Sequence, residues 1–438
     1  MSNHMQNLSA FRASILHFLS DPGESDNAQS FEFFEDGLLV VENGLVKSVG
    51  PASDLLANLP ANIHIVDYSG HLIVPGFIDT HIHYPQTDII ASPGKQLLDW
   101  LEQYTFPAER KFADKAHASE VADFFVDELM RNGTTTALVF GTVHKQSVEA
   151  FFEIAAKRNL RMVAGKVLMD RNCPENLRDT AESGYRESAE LLEKWNGHER
   201  LNYAITPRFA PTSSELQLSL AGKLAREFPD AHIQSHVAEN MDEVAWVRSL
   251  FPDSRSYLDV YDRFGLLRDR AVYAHCIYLD ESDRRRMAES GASAAFCPTS
   301  NLFLGSGLFD IAAANEAALT VGVGTDVGGG TSFSMLRTLG EAYKVAQLRG
   351  HYLSPLRAFY LATLGSAQSL GLDDRIGNLT PTKEADFVVL DLQSTPLITR
   401  RMRSTQTLSE KLFVQMLLAD DRAVSATYIL GQRYGTSD

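Results

Sequence analysis

His81 and His83 stand two residues apart at the end of the apolar run "LIVPGFIDTHIH", residues 72–83. In a strand, residues i and i+2 share a face, so both imidazoles can be presented to one space. Other groups fall at comparable strand ends: His236 in "QSHVAEN" with Glu239 three residues on, His275 in "YAHC", and Asp326 in "GTDVGGG". The imidazoles of His81, His83 and His236 with the carboxylate of Asp326 make an N3O donor set suited to Zn2+ or Fe2+. Taken singly, each has a plainer reading, as a core histidine or as a turn aspartate after Gly-Thr. Their joint recurrence at strand ends is what argues for a metal. The other nine histidines are read as structural, and His144 in "GTVHKQ" is the one nearest another strand end.

Such groups need a scaffold that brings strand ends together. From about residue 72, short apolar runs alternate with helical patterns such as "EVADFFVDELMRNG", the rhythm of a parallel sheet covered by helices. Eight candidate strands are "LIVPGFIDTHIH", "TTALVF", "RMVAGKVLM", "LNYAITPRF", "AHIQSHVAE", "AVYAHCIYL", "SAAFCPT" and "LTVGVGTD". Eight such units predict a (β/α)8 barrel with its site at the C-terminal ends of the strands; a doubly wound open sheet is the alternative from periodicity. The flanks are strand-like: "FRASILHFL", "FEFFEDG" and "LLVVENGLVKSVG" with an Asn43-Gly44 hairpin turn, and later "NLTPTKEADFVVLDL" and "AVSATYILGQRY". We expect the N-terminal part of a small β-domain over 1–73, the barrel over 74–378, and the C-terminal part of the β-domain over 379–438.

Composition narrows the function classes. With 438 residues and 44% hydrophobic content, the chain can bury a large core. A net charge of -16 and no long basic run argue against a nucleic-acid partner. Cys173, Cys276 and Cys297 are scattered, which excludes a disulfide framework and fits a reducing cytoplasm. The first residues lack a basic segment followed by a long apolar one, and no run approaches a membrane span, so neither a signal peptide nor a membrane segment is expected.

The order HxH, HxxE, His, Asp along a βα-repeat chain resembles the amidohydrolase superfamily. That resemblance implies a metal-dependent hydrolase on a distorted (β/α)8 barrel, with a small β-sandwich built from both termini. The stretches "LLDWLEQYTFPAE" (97–109), "SHVAEN" (235–240) and "CPTSNLFLGSGLF" (297–309) resemble the branch of that superfamily that deaminates guanine. It implies His81, His83, His236 and Asp326 as ligands of one Zn2+ per subunit, with Fe2+ also accepted. Two-metal relatives carry a bridging lysine on strand four; "LNYAITPRF" has none, and the nearest candidate is Lys166 on strand three.

By the same resemblance His275 stands beside the activated water, Glu239 passes a proton to ring N3, and Asp326 carries the water's proton to the departing amine. Gln86, Arg208 and the backbone of Phe209 meet the base; the Arg208 fork suits the O6 and N7 edge of guanine. Trp100 and Phe106 either wall the ring or pack a helix. Cys297 is read as packing, Thr299, Ser300 and Asn301 as pocket-shaping, and "GGG" at 328–330 as room for the backbone near the metal site. The expected reaction is guanine to xanthine and ammonia, in a cytoplasmic homodimer. The alternative is a deaminase or chlorohydrolase of another ring: 8-oxoguanine, a pterin or an s-triazine. An inactive barrel used in assembly would be expected to have lost ligands, and here the set is complete.

Overall fold

The computed structural model describes residues 8–60, 63–94 and 96–435; the first residues of the segment judged free of a signal peptide lie outside them. The chain opens on β1 (Leu8–Phe18), β2 (Phe31–Glu42), β3 (Leu45–Pro51) and β4 (Ile65–Pro75). Eight parallel strands follow: β5 (Phe77–His83), β6 (Thr134–Phe140), β7 (Arg161–Gly165) with its continuation β8 (Val167–Leu168), β9 (Leu201–Pro207), β10 (His232–Val237), β11 (Ala271–His275), β12 (Ser293–Phe296) and β13 (Val321–Val323). The chain then returns through β14 (Phe387–Asp391), β15 (Val424–Ile429) and β16 (Gln432–Arg433).

The parallel strands are buried along nearly their whole length because helices cover them outside and side chains fill the inside. The helix Lys115–Arg131 illustrates the cover. Asp114 caps it by accepting from Ala116 N–H at 2.9 Å, and Ala118, Val121, Ala122, Phe125, Val126, Leu129 and Met130 form its buried stripe at helical spacing. The barrel closes just past β13, where Asp326 N–H donates to His81 O at 2.8 Å and Thr325 N–H to Asp79 Oδ1 at 3.1 Å.

Both termini build one seven-stranded mixed sheet in the order β16-β15-β14-β4-β1-β2-β3. It bends at register shifts, such as the one between Ala13 and Ile15, and closes an interior of its own. There Phe11 of β1 meets Phe387 and Tyr428 edge-on, with centroids 4.9 Å away in each case.

Several elements differ from their sequence reading. "LIVPGFIDTHIH" is two strands, because Gly76 separates β4 of the terminal sheet from β5 of the barrel. A Cβ at 76 would lie 2.0 Å from Thr135 Oγ1, so only glycine passes there. The boundary drawn between 73 and 74 thus falls inside β4. The stretches "FEFFEDG" and "LLVVEN", read as separate, are joined: β2 runs through Asp36 and Gly37, with Gly37 under the Ile15 side chain. Between β14 and β15 the chain forms helices Pro396–Met402 and Leu408–Leu418, the second packed on the barrel helix Met335–Leu348.

Candidate active site

The barrel's C-terminal mouth is where the backbone is most contorted. Ala238, His275, Cys276 and Asp326 all adopt positive φ, at 51°, 72°, 52° and 51°. Each non-glycine residue held so costs about 1–3 kcal/mol, which the surrounding structure must impose. Hydrogen bonds across the strand ends do so: Cys276 N–H donates to Val237 O at 3.1 Å, beside the Asp326 to His81 bond that closes the barrel. Asp326 itself lies three residues beyond the end of β13, on this looped backbone rather than on the strand.

His81, His83 and His236 turn their rings into one buried space. His83 Nε2 lies 3.2 Å from both His81 Nε2 and His236 Nε2, and Asp326 Oδ1 lies 3.3 Å from His81 Nε2 and 3.4 Å from His83 Nε2. Burial holds all three imidazoles well below their ordinary pKa, reinforced by one another, His275 and Arg208. They are therefore neutral, with lone pairs facing each other. His236 donates Nδ1–H to Arg208 O at 2.6 Å, which leaves Nε2 as the free donor atom. One shared proton cannot satisfy so many converging lone pairs; a divalent cation can, and this donor set fits one.

Lys166 is fully buried and donates to Asp179 Oδ2 at 2.6 Å and Val167 O at 3.3 Å, outside the cluster. Cys297 is near His81, His275 and Asp326, but burial holds its thiol well above the ordinary range, and Sγ faces Ala295 O at 3.4 Å. It packs as a thiol. His144 precedes the helix Lys145–Lys157 and does not line the cavity.

Glu239 and His275 stand over the cluster, beside its Asp326 carboxyl. His275 donates Nδ1–H to Asn301 Oδ1 at 2.9 Å, so Nε2 looks towards Glu239 Oε2 at 3.4 Å and Asp326 Oδ2 at 3.8 Å. Burial, then the charge of Asp326, pushes Glu239 up to about 8, while the Ser306 hydroxyl donated at 2.9 Å works the other way. Burial likewise raises Asp326 to about 6, against the pull of His275. Glu243 holds the backbone that carries Glu239: it accepts from Glu239 N–H at 2.9 Å, Asn240 N–H at 3.1 Å and Tyr257 OH at 2.7 Å.

The cavity's other wall combines polar and aromatic side chains. Gln86, Arg208 and Phe209 line it with Trp100, Leu97 and Leu304. Arg208 Nη1 donates to both oxygens of Glu109 at 2.8 Å, and Gln86 Nε2 donates to Glu109 Oε1 at 3.1 Å. Phe106 lies behind, its ring centroid 5.7 Å from Arg208 Cζ, so it supports the guanidinium rather than the cavity wall. Trp100 does face the cavity, fixed by its Nε1–H to Ser92 O at 3.0 Å. The glycine run makes room for Gln86: a Cβ at 328 would lie 2.0 Å from Gln86 Oε1.

Glu109, Glu243 and Ser306 escaped sequence reading. Glu243 carried a signal, since Asn240 and Glu243 have capping-box spacing at a helix start, a box that forms here. Glu109 carried none: a glutamate after "FPA" in a helical stretch looks solvent-facing until the fold buries it.

The profile of the Amidohydrolase family matches residues 72–433. Guanine deaminase of Escherichia coli (strain K12) is 54% identical over 405 residues, covering 92% of each chain. The solved structure of E. coli guanine deaminase superposes with a TM-score of 0.96 at 52% identity, covering 98% of this chain and all (100%) of that one. Guanine deaminase from C. acetobutylicum, solved with guanine in its active site, gives a TM-score of 0.88 at 29% identity, with 98% and 100% covered.

Proposed function

This chain belongs to the amidohydrolase family, and we propose that it hydrolyses guanine to xanthine and ammonia. The observation that carries this reading is one cavity shared by the N3O cluster and the paired Arg208 and Gln86, in a chain more than half identical to a guanine deaminase. His81, His83, His236 and Asp326 would hold a single divalent ion, Zn2+ by preference or Fe2+, which when bound would lower the pKa of a water towards neutrality.

The chain's own groups do the rest. Arg208 donates to the O6 and N7 edge, and with Gln86 it fixes the ring so that C2 faces the cluster. His275, with Nδ1 committed to Asn301, presents Nε2 to the attacking water. Glu239, its pKa pushed up to about 8, still holds its proton near neutrality and delivers it to N3 as C2 becomes tetrahedral. Asp326 takes one proton from the water and passes it to the amine, which leaves as ammonia. The water's oxygen becomes the C2 carbonyl, and its second proton restores Glu239.

Among the described residues no helix is long and apolar enough to cross a membrane. We assign the reaction to the cytoplasm, supported by the three free cysteines, and a homodimeric state on family resemblance.

The test is ultraviolet absorbance on metal-loaded protein, with adenine, cytosine and an s-triazine in parallel. Guanine is expected to disappear as xanthine forms, and a chelator to stop the reaction. Turnover of another ring but not guanine would overturn the roles given to Arg208 and Gln86.

A further inference from the structure

Glu109 sits at the end of the short helix Phe106–Glu109, fully buried and without a water-facing atom to account for its charge. Phe106 and Glu109 are three apart on that helix and serve one neighbour: the ring lies behind the Arg208 guanidinium while the carboxylate chelates its Nη1. Because Glu109 uses Nη1 alone, Nη2 and Nε of the fork remain for a ligand. The same carboxylate settles the amide of Gln86. A carboxylate only accepts, so the amide must give it Nε2–H and present Oε1 on the other side. One acid thereby sets a donor on Arg208 beside an acceptor on Gln86.

We propose that Glu109 is the positioning residue that fixes substrate polarity, so that the site takes a neutral lactam edge, a carbonyl next to a ring N–H. This inference rests on the guanine reading above. An adenine-like edge, with an exocyclic amine next to a bare ring nitrogen, has the opposite donor and acceptor order and meets donor to donor. Charge acts in the same direction. A buried guanidinium with no partner would draw anions; paired with Glu109 it is neutral overall, so an uncharged ring is preferred over its oxyanion.

The experiment compares wild type with Glu109→Gln and Glu109→Asp, following steady-state kinetics, metal content and melting temperature. Glu109→Gln is expected to raise KM for guanine by about 10- to 100-fold, the range for losing a hydrogen bond to a charged group, with a much smaller change in kcat. Its inhibition by xanthine should strengthen as xanthine ionises in mildly alkaline solution, whereas wild-type inhibition weakens. Glu109→Asp, which keeps the charge, should recover part of the KM. Metal content should stay close to wild type, while the melting temperature should fall in Glu109→Gln, which leaves the buried Arg208 without its counter-charge, and fall less in Glu109→Asp. An unchanged KM in Glu109→Gln, or kcat, KM, metal and melting temperature failing together in both variants, would overturn the inference while leaving the guanine reaction standing. Wild-type protein that does not turn over guanine overturns the reaction and this inference with it.

Discussion

Strand β10 carries a buried histidine near each end, and the two have opposite uses. At the N-terminal end His232 donates Nε2–H to Leu370 O, a backbone carbonyl, at 2.7 Å. At the C-terminal end His236 donates Nδ1–H to the Arg208 carbonyl and turns Nε2 towards two other imidazoles. The same contrast holds for whole ends of the barrel. At the bottom, Arg161 and Arg200 bracket Glu384, with Arg161 Nε at 2.7 Å and Arg200 Nη2 at 2.6 Å, and Arg200 also meets Asp386. Every buried charge there has an opposite partner, and the network ties β7 and the start of β9 to the terminal sheet. At the top, neutral imidazoles face one another and two raised carboxyls share the cavity. Paired charge serves stability; unpaired lone pairs held together against their preference mark a place built for something else.

The hardest way to break that contrast is to remove a donor from the top. His236→Ala should lose metal by elemental analysis and lower kcat/KM more than about a thousandfold, since the activated water goes with the ion. His232→Ala should leave kcat/KM of the folded protein near wild type. Equal losses of activity in the two variants would mean that the ends of β10 are not functionally distinct.

Glu239→Gln separates proton transfer from metal holding within the top end. The amide keeps the shape but has no proton to deliver to N3, so kcat should fall about 10²- to 10⁴-fold with metal content unchanged. Retained turnover in this variant would end the role given to Glu239.

The top end was legible in the sequence because its residue types are rare at strand ends and recur there in order. His81, His83, His236, His275 and Asp326 could be gathered once eight strands were counted, since a barrel leaves strand ends no other place to go. What could not be read was whatever depends on burial reached through packing. Glu109 is an ordinary glutamate until a short helix carries it under Arg208. Gly76 lies inside one unbroken apolar run, and only the meeting with Thr135 shows why the strand divides there. The bottom network was invisible for the same reason: Glu384 lies 223 residues from Arg161 and 184 from Arg200.

That network supplies the complementary test. Glu384→Ala leaves Arg161 and Arg200 buried with only Asp386 to share, which should cost about 3–5 kcal/mol of stability, read as a lower denaturation midpoint. The folded fraction should keep its kcat, because nothing at the bottom reaches the cavity. A variant of normal stability and impaired kcat would reverse the assignment of the two ends.

The smallest effect is the share of the acid dependence that His232 carries. Burial pushes its pKa down from 6.5 to about 4, although the Leu370 carbonyl bonded to it favours the charged form. The unfolded chain therefore takes up this proton first as pH falls. Stability from a neutral His232 is complete above about pH 6.5 and declines between there and about pH 4, by roughly 3 kcal/mol over that interval. His81, His83 and His236 are also held neutral by burial, and acid would release a metal, so the comparison belongs on metal-free protein, where their contribution is common to both chains. In denaturant titrations across this range, His232→Gln should be less stable than wild type at pH 8 yet lose stability less steeply as pH falls. Parallel curves would show that His232 does not titrate with unfolding.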